Sequence, residues 1–207
     1  YNIVLAANAR AFELAKPDVL YKDVHLAAVK VIVEGLTSLG LIKGNADEAV
    51  AAGAHALFMP HGLGHMMGLD VHDMEDIGEK YVGYDLETER SKQLGVSSLR
   101  MGRRLQPGMV MTDEPGLYFI PAYIAQWKEA GTCKEFINFD KLDPYMDFGG
   151  IRIEDDLLIT AGRNPVLGKR RPPVTVQEIE DFTGASKPSG KHRCYHQHTN
   201  KKGGPST

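Results

Sequence analysis

The hydrophobic periodicity changes once along this 207-residue chain, and that change limits the fold more than any other feature. In the first fifty or so residues apolar side chains recur at three- and four-residue steps, the spacing of a helix with one buried face. Ile3, Val4, Ala7, Ala11, Phe12 and Leu14 form the first stripe, which Lys16-Pro17 stops. A second helix is predicted from about Lys22 to Leu39, with Val24, Ala27, Ala28, Val31, Ile32, Gly35 and Leu36 along its stripe and Gly40 near its end. A shorter helical stretch, Ala46 to Gly53, follows. Beyond residue 56 the texture becomes short strand-like runs divided by Gly and Pro. Met109 to Thr112 and Leu117 to Ile120 read as strands on either side of Glu114-Pro115-Gly116, and Gly149-Gly150 opens one further strand, Ile151 to Thr160. Ala122 to Asp140 reads as a polar helix plus loop, and Val176 to Phe182 as a closing helix. Helices first and strands later predict an α+β fold rather than a doubly wound sheet.

Composition removes several function classes. With 43% hydrophobic and 25% charged residues the chain can bury a core, while its longest apolar runs fall far short of the ~20 residues that cross a bilayer, so no membrane partner is expected. Residues 185–207 hold five basic residues and no acids, leaving 19 basic against 27 acidic, a net of −8, in residues 1–184. That acidic body argues against a nucleic-acid partner. Residues 185–207, rich in Lys, Gly, Ser, Pro and His, are expected to be a disordered tail whose His192, His196 and His198 could chelate a metal adventitiously. Cys133 and Cys194, 61 positions apart, exclude a disulfide scaffold and a Cys-rich zinc module. The chain opens at Tyr1 in helical sequence, which suggests a truncated N-terminus.

Candidate chemistry concentrates in three places. His61, His65 and His72 fall within twelve residues of a glycine-rich segment, and histidine at that density is scarce where only packing is at stake. Glu114 and Glu154 stand where core strands should be apolar, and a buried carboxylate is costly unless paired or bound to a metal. One His with two Glu on neighbouring strands suits Mn²⁺, Co²⁺ or Zn²⁺ in a hydrolase. The alternative for either Glu is an ion pair, and Arg152, two residues before Glu154 on the same strand face, is the expected partner.

The block His61 to Asp73, the turn Thr112-Asp113-Glu114-Pro115-Gly116 and the strand Gly150-Ile151-Arg152-Ile153-Glu154-Asp155, in that order, resemble the C-terminal catalytic part of the Xaa-Pro peptidases, aminopeptidase P and prolidase. The resemblance covers roughly residues 1–182. It implies an α+β pita-bread (creatinase/aminopeptidase-like) fold, incomplete at the N-terminus, in residues 1–184. It further implies metal-dependent hydrolysis of Xaa-Pro bonds in a cytoplasmic enzyme that can form a homodimer, with two ions, usually manganese, held by two Asp, one His and two Glu. By this resemblance His65, Glu114 and Glu154 are metal ligands, with Glu154 bridging both ions. His72 stabilises the oxyanion, His61 lines the substrate pocket, and Arg152 holds carboxylates and substrate in register. Arg100 sits where a prolidase grips the free carboxylate of its dipeptide; a solvated Arg before a turn is the other reading.

The sequence also departs from that pattern. Before His61 it has only Asp18, Asp23 and Asp47, none in a strand-like context, so the two Asp ligands have no counterpart here, and one ion or none is expected. Asp113 occupies a usually apolar position and should point to the opposite strand face from Glu114. Asp18 replaces a turn glycine, and Leu20 replaces the Ser or Thr that would cap the second helix. The leading reading is an Xaa-Pro aminopeptidase-like fragment, inactive in isolation; the alternatives are a prolidase and a non-catalytic binding module.

Overall fold

The computed structural model describes residues 1–162 and 164–184, so the expected tail of 185–207, with His192, His196 and His198, lies outside the described residues. Two helices, α1 (Asn2–Leu14) and α2 (Tyr21–Ser38), pack against each other along the predicted stripes. Val4, Ala7 and Ala11 of α1 face Val24, Ala28, Ile32 and Leu36 of α2 within one buried core. Gly35 lets the helices approach closely, because a Cβ there would lie 2.6 Å from Ile3 Cγ1. Leu20 sits at the N-cap of α2 with no side-chain cap, and Asp18 takes a left-handed conformation, φ 67°, where a glycine would be unstrained. A short helix α3 (Ala46–Ala51), capped by the Asn45 side chain, leads into a 3₁₀ turn at Ala54–Leu57. The α4 turn (Glu79–Val82) follows a second 3₁₀ segment, Glu75–Ile77.

The strands form two antiparallel pairs. The first joins β1 (Val110–Asp113) to β4 (Asp155–Leu158), with Val110 opposite Leu158 and Asp113 opposite Asp155. The second joins β2 (Gly116–Phe119) to β3 (Gly149–Arg152), with Gly116 opposite Arg152. The single strand predicted from Ile151 to Thr160 is therefore two strands. The break at Ile153-Glu154 lies across from Glu114-Pro115, where Pro115 has no N–H to give the ladder. Helix α5 (Pro121–Ala130) buries Ile124 and Trp127, and α6 (Val176–Thr183) begins with a Thr175–Glu178 capping box.

The other edge of β1 pairs with the histidine-rich segment. Thr112 N donates to the His65 carbonyl at 3.0 Å, Glu114 N to the Leu63 carbonyl at 2.8 Å, and Met67 N to the Val110 carbonyl at 3.0 Å. Gly64 permits this contact, since a Cβ at that position would come 2.1 Å from the Thr112 carbonyl oxygen and 2.6 Å from the Tyr21 hydroxyl.

Three buried ionisable side chains are poorly satisfied within the described residues: Asp113 and His55 have no hydrogen-bond partner, and His25 has only the Gly95 backbone beside its ring. Asp113, 1% exposed, has both carboxylate oxygens unpartnered. Burial, reinforced by Asp155 and Glu114 and opposed by Arg171, pushes its carboxyl well above the usual range. Replacing it with a β-branched apolar residue removes that cost, so Asp113→Val should raise unfolding free energy at pH 7 by about 1–3 kcal/mol. Urea denaturation measures it, and an unchanged or lowered midpoint refutes it.

His25 on α2 and His55 in the 3₁₀ turn are fully buried, edge to face with ring centroids 6.3 Å apart. Burial lowers His25 to about 3, with the His55 and His61 rings adding and the Gly95 backbone opposing; burial lowers His55 to about 4. The unfolded chain takes up both protons near pH ~6.5, while the folded chain resists them. Stability is thus complete above that pH and falls as the pH drops towards the folded values. Unfolding free energy at pH 5 should lie below that at pH 7 by about 2 kcal/mol per histidine, and His55→Leu should remove about half of the difference. An equal slope in that variant would show that other groups carry it.

Candidate metal centre

A cleft of about 290 Å³ opens where the histidine segment meets the kink after β1, and His61, His65, His72, Arg100, Glu114 and Arg152 all line it. Sequence reasoning thus selected six residues that the fold brings to one place. Its centre is the pair His65 and Glu114, 5% and 8% exposed, with His65 Nε2 3.3 Å from Glu114 Oε1.

The hydrogen bonds around this pair have one consistent direction. His65 Nδ1 lies 2.9 Å from the Met66 carbonyl, which can only accept, so Nδ1 carries the proton and the Nε2 lone pair faces the carboxylate. Two acceptors face one another, an arrangement completed by a proton on Nε2 or by a cation between them. The two titrations reflect this. Burial pulls His65 down, but the Glu114 bond, the Met66 carbonyl and the charges of Glu114 and Glu75 leave it raised. Burial pushes Glu114 up, yet His65, Thr112 and Arg152 leave it lowered.

Two further residues complete the network: Thr112 bonds the Glu114 carboxylate directly, and Tyr118 acts on it through Arg152. Thr112 Oγ1 donates to Glu114 Oε1 at 3.1 Å while accepting the backbone N–H of His65 at 3.0 Å. Tyr118, on β2, accepts from Arg152 Nε at 2.8 Å and lies 3.2 Å from His61 Nε2. His61 Nδ1 is 2.7 Å from the Gly62 carbonyl, which makes it the protonated nitrogen and leaves Nε2 to accept from Tyr118. Burial, with Arg152 adding and Gly62 and Glu114 opposing, holds His61 below the usual histidine value. A four-residue spacing from Glu114 along β1–β2 is the only sequence signal that could have drawn attention to Tyr118.

Of the two glutamates for which Arg152 was the expected partner, it pairs with Glu114: its Nη1 bonds Glu114 Oε2 at 2.8 Å, while β3 ends at Arg152 and Glu154 lies in the break that follows. Glu154 is exposed in that break, not within a strand, and lines a neighbouring pocket that shares Arg152 with the cleft. Its carboxyl is raised by burial first and then by Glu114, so the two carboxylates sense each other. His72 sits at the cleft mouth with its ring 4.2 Å from that of His65, and its Nδ1 is 3.7 Å from Glu75 Oε2. Arg100 is not a freely solvated side chain: it bonds Glu75 and, at 3.1 Å, Glu79 Oε1.

An imidazole lone pair facing a carboxylate held by Thr112 and Arg152 is the donor chemistry of a divalent cation site. Among the described residues no group of three or more His, Cys, Asp and Glu side chains is already gathered closely enough to enclose an ion. His65 and Glu114 thus fit as two donors, with Glu154 adjacent.

The model of metallopeptidase family M24 matches residues 1–161, and the chain belongs to that family. It is 39% identical over 180 residues to the Xaa-Pro dipeptidase of Homo sapiens, covering 87% of this chain and 35% of that protein. It is 37% identical over 187 residues to a probable Xaa-Pro aminopeptidase of Verticillium alfalfae, covering 90% and 38%. The aminopeptidase PepP structure of Pseudomonas aeruginosa superposes with a TM-score of 0.64 at 34% identity, over 89% of this chain and 34% of that one. A zinc-substituted Escherichia coli aminopeptidase P in complex with product gives a TM-score of 0.60 at 33% identity, over 91% and 34%. The chain spans about a third of the length of these relatives. The α+β pita-bread architecture implied by the three motifs is the one these structures share.

Thr112 offers a direct test of the network. Thr112→Val keeps the shape, but it leaves the buried His65 N–H without its partner and frees one Glu114 oxygen. It should lower unfolding free energy by about 1–3 kcal/mol, read by urea denaturation. A cost below ~0.5 kcal/mol would mean that the hydroxyl is dispensable.

Proposed function

We propose that this chain supplies the His and Glu side of a metal centre that hydrolyses Xaa-Pro peptide bonds and releases the N-terminal residue. The observation that carries the proposal is His65 Nε2 set 3.3 Å from the buried Glu114 carboxylate, with Nδ1 turned to the Met66 carbonyl. His65 and Glu114 would hold the ion, and Glu154, across the kink, would be the third ligand. A bound Mn²⁺, or Co²⁺ or Zn²⁺, supplies Lewis-acid polarisation of the scissile carbonyl and a lowered pKa for water.

The remaining roles belong to this chain's own side chains. Arg152 and Thr112 fix the two Glu114 oxygens, so the carboxylate stays ionised and oriented. His61, kept neutral by burial, lines the wall and is fixed by Tyr118. His72, exposed at the mouth and braced against the His65 ring, can donate to the oxygen that gains charge as the carbonyl is attacked. A prolidase remains the second reading, favoured by the 39% identity to the human Xaa-Pro dipeptidase.

A cytoplasmic location and a homodimer belong to the same proposal and rest on the family resemblance; no described helix is long and apolar enough to cross a membrane. The chain by itself should show no measurable Xaa-Pro hydrolysis, because no Asp pair completes a second ion site. In a chain ending at Gly184, which excludes the tail histidines, calorimetric titration with Mn²⁺ should give at most one site, abolished by His65→Ala. Two tight sites, or one indifferent to His65, would refute the assignment.

A further inference from the structure

We propose that Glu75 sets substrate length: by neutralising Arg100 it suits the cleft to peptides that continue past proline and disfavours free Xaa-Pro dipeptides. This rests on the peptidase reading above. Arg100 Nη1 bonds Glu75 Oε2 and, at 3.1 Å, Glu79 Oε1, while Glu79 Oε2 lies 2.7 Å from Arg90 Nη1. Two guanidinium groups and two carboxylates thus cancel.

The Glu75 side chain is 18% exposed against 39% for Arg100, so the carboxylate is the more buried partner and its charge is less screened by water than that of a fully exposed pair. The other guanidinium of the cleft, Arg152, is bonded to Glu114. Neither cation therefore offers an unmatched charge to an arriving anion. The carboxylate of a dipeptide would have to displace Glu75, stranding it beside His72 at 3.7 Å, or lie against it as a like charge. A peptide carbonyl at the same point is neutral and displaces nothing. Selection against the shorter substrate then comes from a built-in repulsive element, not from an added contact.

Ala-Pro and Ala-Pro amide differ at that single group and serve as probes. Their binding to the full 207-residue chain in the presence of Zn²⁺, a diamagnetic ion, can be followed through the ring-proton shifts of His61 and His72. The wild-type chain should bind the amide about tenfold more tightly than the free dipeptide. Glu75→Gln should tighten Ala-Pro alone, bringing the two within about twofold, and Glu79→Gln should act in the same direction to a smaller extent. Equal or tighter binding of Ala-Pro by the wild-type chain, or an equal change for both ligands in Glu75→Gln, would overturn the assignment to Glu75 while leaving the peptidase reading intact. No shift with either ligand in any of the proteins would overturn both.

Discussion

The backbone ladder between residues 63–67 and β1 is the constraint on which the candidate site depends. Three main-chain bonds lock the histidine segment to the strand that leads into Glu114, and they require Gly64 because no Cβ fits against Thr112. Once that ladder exists, His65 and Glu114 have to be neighbours, and a single chain of directed hydrogen bonds runs outward from them. Gly62 accepts from His61, His61 from Tyr118, Tyr118 from Arg152, and Glu114 from both Arg152 and Thr112. Each member can donate in only one direction if all are to be satisfied, so the chain sets tautomers as well as positions.

Much of this was legible in the sequence because it lies in local spacing. Helical stripes at three- and four-residue steps located α1 and α2 to within a residue or two, since most of their buried positions are aliphatic, with Asn8, Tyr21 and His25 as the exceptions. The three ordered motifs identified the residues of the cleft. What spacing could not reveal was partnership across the sheet. Arg152 bonds Glu114 and not Glu154, because Pro115 interrupts one ribbon and the facing ribbon breaks at the same level. A strand predicted from composition alone runs through Ile153-Glu154, since nothing in Ile-Glu itself signals that the opposite chain lacks an N–H. Thr112, Tyr118 and Glu75 were missed for the same reason: each matters through a residue distant in sequence.

The kink gives the site its geometry at a cost in regular structure. Had β1 and β2 formed one strand, successive side chains would alternate faces, and Glu114 would lie on one face as a ladder residue. The two-residue interruption on both ribbons places Glu114 and Glu154 at the same level of the molecule, close enough for each to sense the other's charge. Asp113 shows the price on the other face. One residue before Glu114, its carboxylate points into the core without a hydrogen-bond partner, near Asp155 on the facing strand. Strand alternation made that orientation readable from the sequence, and the structure bears it out.

Charge is matched locally throughout the cleft, and this follows from burial. Each carboxylate withdrawn from water needs a proton, a cation or several donors. Glu114 has Arg152, Thr112 and the face of His65; Glu75 has Arg100; Glu79 is shared between Arg100 and Arg90. The one junction whose partners do not complement each other in neutral form is His65 Nε2 with Glu114 Oε1, two acceptors at 3.3 Å. Every other polar contact around it is already committed, so that junction alone calls for an added positive charge. A proton can provide it, at the cost of turning His65 into a cation beside Arg152. The divalent ion proposed above would provide it with the imidazole neutral, with Glu154, exposed across the kink, as the further ligand.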